Sequence, residues 1–338
     1  MKIIISRTDG IGDVILTLPV AGILKQNLPD CEIIFLGTKY TKPIIELSTN
    51  IDKFVDWDEM KTKSEANSVL EFKEINADTI IHIFPNKQIA RIARLANIPI
   101  RIGTTGRFYN WFNCNKLIPI SRLRSNMHEA QLNIALLKGL KIKKKFPLNE
   151  IANYYGFKEI KHADYSNYLS KEKINIILHP KTKGSAREWG VDNFSNLITL
   201  LPSEKYNLLI TGTKEDGEAL NKPLFEKFPD IKNLTGKFTL TELIDFISQS
   251  DGLIAASTGP LHISAALGNI SVGLYAPMKP IHPGRWAPLG KHASYLVNQK
   301  KCNKCKKSVN CECIQSIKAT QVIEKIESLQ NNIKSMLV

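Results

Sequence analysis

The stretch from Leu253 to Gly268 constrains the fold of this chain most strongly. An apolar run, Leu253 to Ala256, stops at the turn residues Ser257-Thr258-Gly259-Pro260, and a run of small and apolar residues follows. Pro260 suits the first positions of a helix, where its missing N–H group leaves no bond unmade, so Gly259 or a hydroxyl residue before it should cap the helix. The pattern predicts a strand, a tight turn and a helix.

The start of this predicted helix is a candidate anion site. We expect the backbone amides of Leu261 and His262 to have no partner within the helix, and the positive end of the helix dipole lies beside them. A phosphate group fits such a place, with the His262 side chain close by. An ordinary strand-to-helix turn of an α/β protein explains the same residues equally well.

The chain opens on a similar unit. Residues 2–6 form a short apolar run, a glycine-containing turn from Arg7 to Asp13 follows, and a helix is predicted from Val14 or Pro19 to Leu28. The pattern again indicates a strand, a turn and a helix.

The glycines of this first turn only partly match a dinucleotide-binding fingerprint. Gly10 and Gly12 have its spacing, but Ile15 occupies the place of the third glycine, which argues against a dehydrogenase. Asp13 has two interpretations. Its carboxylate lies in the crevice where α/β sheets bind ligands, or it caps the helix that follows.

Strand and helix signals alternate along the rest of the chain, which predicts parallel, doubly wound sheets and two Rossmann-like halves that face a cleft. We place the boundary between the N-terminal domain, 1–165, and the C-terminal domain, 166–338, and expect that the last helix can pack back on the N-terminal domain. The further predicted strands are 31–37, 77–84, 98–103, 174–180, 206–212 and 271–277. Helices are predicted at 127–140, 192–201 and 317–322.

The charge of the chain points to an anionic partner. The 338 residues include 46 Lys and Arg against 32 Asp and Glu, a net charge of +14. Nucleic acid, an acidic lipid surface and phosphorylated substrates all fit such a charge, and so does a lysine-rich surface without special function. The chain has no recognisable nucleic-acid-binding motif. No apolar run approaches the length of a membrane span or a signal peptide, so we expect a cytoplasmic protein.

A basic and aromatic segment lies in the N-terminal half. The spacing of Lys87, Arg91 and Arg94 places three cations on one helix face, and Arg107 follows in a stretch rich in aromatic residues. These four residues are candidates for binding an acceptor that carries phosphates or carboxylates. A solvated helix face explains the first three equally well.

Six stretches, taken in their order and spacing, resemble the heptosyltransferases of glycosyltransferase family 9. The match runs from end to end of the chain. The resemblance implies a GT-B fold and an inverting, metal-independent glycosyltransferase that moves heptose from ADP-heptose to a lipopolysaccharide core. The stretches are 7–19, 101–103, 126–140, 178–194, 211–216 and 257–268.

The resemblance also implies residue roles. Asp13 occupies the position of the general base that takes the proton of the acceptor hydroxyl. The donor-binding residues implied in the C-terminal domain are Thr182, Ser185, Arg187, Glu215, Ser257, Thr258, Gly259 and His262. Glu218 competes with Glu215 as the ribose ligand. Ser257 departs from the aspartate that is usual in the family, so the sugar held there can differ from the usual heptose.

Four cysteines cluster near the C-terminus. Cys302, Cys305, Cys311 and Cys313 could hold a structural zinc or iron ion, although the second pair is one residue closer than in common zinc sites. Reduced thiols on a loop are the alternative, because a disulfide framework is not expected in the cytoplasm. Cys31 and Cys114 are predicted to lie in the core.

These observations predict an enzyme that needs no cofactor for catalysis and acts on a nucleotide-sugar donor and an anionic, lipid-linked saccharide. Its positive charge suits peripheral contact with acidic lipids at the inner face of the inner membrane. A family 9 transferase with another donor or a protein acceptor is an alternative. An inactive nucleotide-binding scaffold is the alternative of a different class.

Overall fold

The computed structural model describes residues 1–182, 184, 186–298 and 311–337. The chain divides into two compact units, Met1–Glu159 and Ile160–Val338. The division lies a few residues before the boundary expected from the sequence. Each unit contains one parallel six-stranded sheet flanked by helices, so the predicted α/β class with two doubly wound sheets is confirmed.

Unit 1 contains the first six strands and eight α-helices of the described chain. The strands are β1 (Lys2–Ser6), β2 (Glu32–Gly37), β3 (Lys53–Asp56), β4 (Thr79–His82), β5 (Ile100–Thr104) and β6 (Lys116–Ile118). The helices are α1 (Ile11–Ile15), α2 (Leu18–Asn27), α3 (Lys42–Ile45), α4 (Trp57–Met60), α5 (Glu65–Ile75), α6 (Lys87–Leu95), α7 (Asn110–Asn113) and α8 (Glu129–Ile134). Short 3-10 turns are found at Lys39–Thr41, Ala135–Leu140 and Leu148–Tyr154.

Unit 2 repeats this plan. Its strands are β7 (Ile174–His179), β8 (Tyr206–Ile210), β9 (Lys232–Asn233), β10 (Gly252–Ala256), β11 (Ile270–Tyr275) and β12 (Ala293–Val297). Its described helices are α9 (Val191–Leu200), α10 (Lys214–Leu220), α11 (Leu240–Ser248), α12 (Gly259–Ala266), α13 (Pro283–Trp286), α14 (Glu312–Gln315) and α15 (Ala319–Leu337). One turn of π-helix, Asn221–Phe225, follows α10.

Both sheets have the same strand order. In unit 1 the order is β3-β2-β1-β4-β5-β6, and in unit 2 it is β9-β8-β7-β10-β11-β12. The chain therefore reverses direction across the sheet between β1 and β4 and again between β7 and β10. Doubly wound sheets bind ligands outside the carboxyl ends of the strands at such a switch point. The order indicates where each unit should hold its site.

The strands are apolar because both faces of each sheet are covered. Ile3, Ile4 and Ile5 of β1 are all fully buried, and so are Ile176 and Ile177 of β7. A continuous apolar run of this kind is typical of a parallel strand between two helix layers.

Three predicted helices differ from the sequence expectation. The first is broken into α1 and α2 at Leu16 and Thr17, and Pro19 lies in the first turn of α2. The helix predicted at 127–140 is α-helical only over Glu129–Ile134 and then tightens to a 3-10 turn, where Gly139 packs closely against Ile102. The last helix is longer than predicted, and α15 packs on α9, β11 and β12 of unit 2 with Val322 and Ile326 fully buried.

Candidate active site

The carboxylate of Asp13 lies at the switch point of unit 1. β1 ends at Ser6, and the amides of Ile83 and Phe84, which follow β4, both donate to the Ser6 carbonyl at 3.1 Å. Gly10 is the residue that precedes α1, so Asp13 is the third residue of this helix and not its cap. Its side chain remains 27% exposed, which leaves the carboxylate open to a ligand.

The buried side chain of Arg7 binds this carboxylate. The Arg7 side chain is 3% exposed, and its Nη2 donates to Asp13 Oδ1. Its Nε donates to Asp9 Oδ1 at 2.6 Å and its Nη1 to Glu129 Oε1 at 3.0 Å. One buried guanidinium therefore binds three carboxylates, and the Phe84 ring lies 5.9 Å from its carbon.

A second set of bonds fixes α8 to this cluster. Arg122 donates to Glu129 Oε1 at 3.0 Å and to Asn133 Oδ1 at 2.9 Å. Asn133 in turn donates to Thr17 Oγ1 at 3.2 Å, and the Thr17 hydroxyl donates to the Asp13 carbonyl at 2.8 Å. Both the carboxylate and the backbone of Asp13 are thus restrained by α8, which favours one orientation of the acid.

The surroundings of Asp13 also set its basicity. Burial raises the pKa of Asp13 to about 6, and the charges of Asp9 and Glu129 act in the same direction, whereas the Arg7 guanidinium opposes them. Burial alone would lower the pKa of Arg7, but Asp9, Asp13 and Glu129 outweigh it and raise that pKa. Asp13 is therefore ionised at neutral pH and is a stronger base than an ordinary aspartate.

The loop after β7 leads to the switch point of unit 2. Glu188 closes the loop, because its carboxylate accepts bonds from Lys181 Nζ at 2.7 Å and from the Thr182 amide at 3.1 Å. The Thr182 hydroxyl donates to the Ala186 carbonyl at 3.1 Å. Arg187 is half-buried in this loop. Ser185 lies outside the described residues.

The turn after β10 has the predicted form. Thr258 precedes α12 with extended dihedrals, Gly259 is the first helical residue, and Thr258 and His262 are 7% and 3% exposed. Within the described chain the Thr258 hydroxyl has no hydrogen-bond partner. One expectation was wrong: the His262 amide donates to the Thr258 carbonyl at 3.4 Å, because Thr258 already closes the first turn of the helix.

Ser257 faces β11. Burial raises the pKa of the Tyr275 hydroxyl, and a hydrogen bond with the Ser257 side chain opposes that shift. The Tyr275 hydroxyl also donates to the Trp286 carbonyl. The position at which the resemblance implies an aspartate therefore carries a neutral group that is bonded within its own unit.

His179, the last residue of β7, and Thr211, which follows β8, lie side by side at the carboxyl edge of this sheet. His179 Nδ1 lies 3.0 Å from Thr211 Oγ1, and burial lowers the pKa of His179 to about 4, so the ring is neutral at pH 7. Glu215 lies in the first turn of α10 and Glu218 one turn later, and both are exposed. Thr213 caps α10.

The four candidate acceptor residues are all exposed in unit 1. Lys87, Arg91 and Arg94 lie on α6, and Arg107 lies between β5 and α7. Arg91 is paired with Glu65 of α5 at 2.8 Å, and Arg94 donates to Asn113 Oδ1 at 3.1 Å.

The metal prediction for the C-terminal cysteines falls partly outside the described residues, where Cys302 and Cys305 lie. Cys311 and Cys313 are described and are 1% and 6% exposed in the core of unit 2. The described residues contain no cluster of three or more His, Cys, Asp or Glu side chains arranged to hold a metal ion. Cys31 and Cys114 are buried, as predicted.

Comparison with known proteins decides the family. The sequence model of glycosyltransferase family 9 (heptosyltransferase) matches residues 71–314. The chain belongs to glycosyltransferase family 9. A putative glycosyltransferase of Haemophilus influenzae is 25% identical to it over 314 residues, which are 87% of this chain and 88% of that protein.

Two heptosyltransferases are similar to this family 9 member over most of their length. Lipopolysaccharide heptosyltransferase 3 of Escherichia coli is 25% identical over 281 residues, 78% of this chain and 80% of that protein. The structure of E. coli ADP-heptose lps heptosyltransferase II aligns with a TM-score of 0.76 at 18% identity over 99% of this chain and 100% of the other. The expected GT-B fold of a family 9 enzyme is confirmed.

Sequence reasoning missed the residues that hold Asp13. Arg7 and Glu129 both lie in stretches that resemble the family, and their opposite charges follow a strand and begin a helix. These positions were a usable signal, but nothing in the sequence indicated that the two side chains meet.

None of the described helices is long and apolar enough to cross a membrane.

Proposed function

We propose that this family 9 member is an inverting glycosyltransferase that transfers heptose from ADP-heptose to a lipopolysaccharide core or a related anionic saccharide. The observation that carries the proposal is the partly exposed Asp13 carboxylate, bound by a buried arginine at the switch point of unit 1. The names of the similar proteins support the choice of sugar and acceptor.

Unit 1 would bind the acceptor and supply the base. Asp13 takes the proton of the acceptor hydroxyl while the hydroxyl oxygen attacks the anomeric carbon of the donor sugar. The bond from that carbon to the diphosphate breaks on the opposite face, which inverts the configuration, and the nucleoside diphosphate leaves with the electron pair. The raised pKa of Asp13 suits it to accept this proton near neutral pH.

Unit 2 would bind the donor. The start of α12, where Thr258, Gly259 and His262 lie, would offer the diphosphate a positive helix end and the amides of its first turn other than that of His262, which is bonded to Thr258. Arg187 of the loop after β7 would neutralise leaving-group charge, since a guanidinium can bind two phosphate oxygens at once. Thr182 and Ser185 lie in the same loop, and Glu215 or Glu218 would bind the ribose. We expect no metal ion to be needed for this step.

Ser257 is the reason to test other donors. A serine that is hydrogen-bonded to Tyr275 presents no carboxylate to the sugar, so a donor with a different sugar is the second candidate. A protein acceptor is compatible with the same chemistry.

A thermal-shift panel of ADP-, GDP-, UDP- and dTDP-linked sugars tests the donor without knowledge of the acceptor. A ligand present at 100 times its Kd should stabilise the protein by about 2.7 kcal/mol, so the true donor should raise the melting temperature clearly. We expect ADP-heptose to give the largest rise. A larger rise with another nucleotide sugar would replace heptose in the proposal, and no rise with any of them would contradict a transferase that uses a nucleotide sugar.

The reaction would take place at the inner face of the inner membrane. A lipid-linked acceptor is anchored there, and an enzyme of net charge +14 would be attracted to acidic lipids.

A further inference from the structure

One segment of unit 1 concentrates positive charge. Between Asp78 and Glu129 the sequence contains no acidic residue at all. Its basic residues are Lys87, Arg91, Arg94, Arg101, Arg107, Lys116, Arg122 and Arg124. Arg107 and Arg124 are exposed and form no ion pair with any described residue. The net charge of the chain is therefore distributed unevenly, with a strongly cationic stretch that includes β4, β5 and β6.

The same segment exposes large apolar side chains. Phe108, Trp111 and Phe112 are 77%, 59% and 65% exposed, and Leu123 is 82% exposed. The rings of Phe108 and Phe112 contact edge to face at 5.1 Å. Trp111 Nε1 donates to the Thr105 carbonyl at 3.2 Å, so the polar atom of the indole is satisfied by the protein. Aromatic side chains clustered in this way are not explained by packing within unit 1.

Backbone contacts bring the two exposed parts of the segment together. The Thr105 amide donates to the Ile118 carbonyl at 3.1 Å, which joins the loop after β5 to the end of β6. The aromatic residues follow the first of these points and Leu123 follows the second. Both lie after the carboxyl ends of strands, the edge of the sheet at which Asp13 also lies.

We propose that Arg107, Phe108, Trp111, Phe112, Leu123 and Arg124 form a docking surface for an anionic lipid bilayer, here called the aromatic-basic surface. Aromatic rings partition to the interface between lipid headgroups and acyl chains, and arginines bind the phosphates above them. Each basic residue near an anionic membrane raises the affinity about fivefold. The surface combines both contributions within one part of unit 1.

Charge selects a membrane over a second copy of the chain. Two aromatic-basic surfaces brought face to face would place like charges together in a segment that has no carboxylate to neutralise them. An anionic bilayer supplies the opposite charge and an apolar layer at the same time. A protein partner would need an acidic rim around an apolar centre to match this surface.

The surface lies next to the network that holds Asp13. Leu123 adjoins Arg122, which donates to Glu129 and Asn133 on α8 at 3.0 and 2.9 Å. A bilayer bound at Leu123 would therefore hold a lipid-linked saccharide near the acid. This last step rests on the proposed function, whereas the docking itself rests only on exposure and charge.

Vesicle sedimentation tests the docking with the full-length protein. Wild-type protein should bind vesicles that contain phosphatidylglycerol and should bind pure phosphatidylcholine vesicles weakly. Trp111→Ser with Phe112→Ser should weaken binding to the anionic vesicles at least about tenfold, from the apolar surface no longer buried. Arg124→Glu should weaken it at least about fivefold.

Matched controls use exposed residues of unit 1 outside the surface. Tyr40→Ser removes an aromatic side chain that is 59% exposed, and Lys73→Glu reverses an exposed charge on α5. Both controls should bind as wild type. Equal losses in controls and surface variants, or equal binding of wild type to both vesicle types, would overturn the proposal. Melting temperatures check that each variant is folded, and Leu123→Ser replaces the aromatic pair if that variant is not.

Tryptophan fluorescence and sedimentation velocity separate the occupants. Trp57 and Trp189 are buried at 4% and 0% and Trp286 is partly buried in unit 2, whereas Trp111 is exposed, so insertion should shift the emission to shorter wavelength in wild type and not in Trp111→Phe. A Trp111-dependent dimer without lipid would assign the surface to a second copy. A stoichiometric complex with an acidic protein that excludes vesicles would assign it to a protein partner. Either result would overturn the membrane proposal.

Activity separates this inference from the proposed function. Trp111→Ser should leave turnover of a water-soluble, delipidated acceptor unchanged and lower turnover of the same acceptor embedded in anionic vesicles. A protein that binds vesicles but transfers no sugar would refute the proposed function and leave the surface standing. If wild type and Trp111→Ser turn over each acceptor at equal rates, the membrane-docking proposal is refuted and the proposed function stands.

Discussion

Replacing Glu129 by glutamine should lower the pKa of Asp13 and move the acid limb of kcat/KM to lower pH. Glu129 is 1% exposed, and its Oε1 accepts bonds from Arg7 and from Arg122, each at 3.0 Å. Its negative charge raises the pKa of Asp13 and also neutralises part of Arg7. Without that charge Arg7 stabilises the ionised form of Asp13 more strongly, so Asp13 should lose its proton at lower pH.

The size of the shift follows from the geometry. Two carboxylates bound to one guanidinium are separated by roughly 6 Å, and at an effective dielectric constant of about 20 they repel by about 3 kcal/mol. That energy corresponds to about two pKa units, and solvent at the partly exposed Asp13 should reduce it to about one. The acid limb should therefore move from near pH 6, the pKa of Asp13, to near pH 5.

The assay is kcat/KM for donor turnover between pH 4.5 and 9, with a melting curve at each end of the range. Below its pKa Asp13 is protonated and cannot act as a base, so activity falls there. Asp245→Asn is a matched control, since Asp245 is a buried carboxylate of unit 2 that is bonded to His162 at 2.9 Å. An acid limb that stays in place or moves to higher pH in a folded Glu129→Gln protein would refute the reasoning.

Two further predictions concern stability. Gly217→Ala should lower the free energy of unfolding by about 1 to 3 kcal/mol, and with it the melting temperature, because an added Cβ would lie 2.0 Å from Thr235 Oγ1. Gly106→Ala should change the melting temperature little, because the nearest atom to its added Cβ lies 3.7 Å away. His82 is buried with a pKa lowered to about 4, so the unfolded chain binds a proton below pH 6.5 that the folded ring does not, and stability should fall as pH drops from 6.5 to 4. His82→Leu should reduce the loss of unfolding free energy between pH 6.5 and pH 4 by about 3 kcal/mol. If urea unfolding curves show the same pH dependence for this variant as for wild type, His82 does not titrate in this way.

The local elements could be predicted from the sequence because their signals are local. The apolar run before Ser257 and the proline after Gly259 indicated β10 and α12 almost to the residue. The same reasoning placed Asp13 at the end of the first strand. It also assumed that the His262 amide was unbonded, since the backbone dihedrals that let Thr258 close the first turn are not visible in a sequence.

The contacts that shape the candidate base could not be predicted in this way. Arg7 and Glu129 are 122 positions apart, and only the order of the strands and the packing of α8 bring them together. The raised pKa of Asp13 depends on that burial and on the carboxylates that share Arg7. A sequence pattern can indicate that an acid lies at a strand end, but its basicity is a property of the folded neighbourhood.

The sequence resemblance gave the family and left the sugar open. Residues 257–268 match the family pattern except at Ser257, and the structure shows that this serine interacts with Tyr275. One position therefore separates the shared chemistry from the identity of the donor.

The most direct test of the central claim is to measure turnover and donor affinity together in Asp13→Asn. Asparagine keeps the shape of the side chain and an oxygen that Arg7 can bind, but it cannot take a proton. We predict that kcat falls by roughly a hundredfold to ten-thousandfold while the Kd of the donor changes less than about twofold. A folded variant that retains turnover, or one that loses donor affinity along with it, would contradict the role of Asp13 as the base.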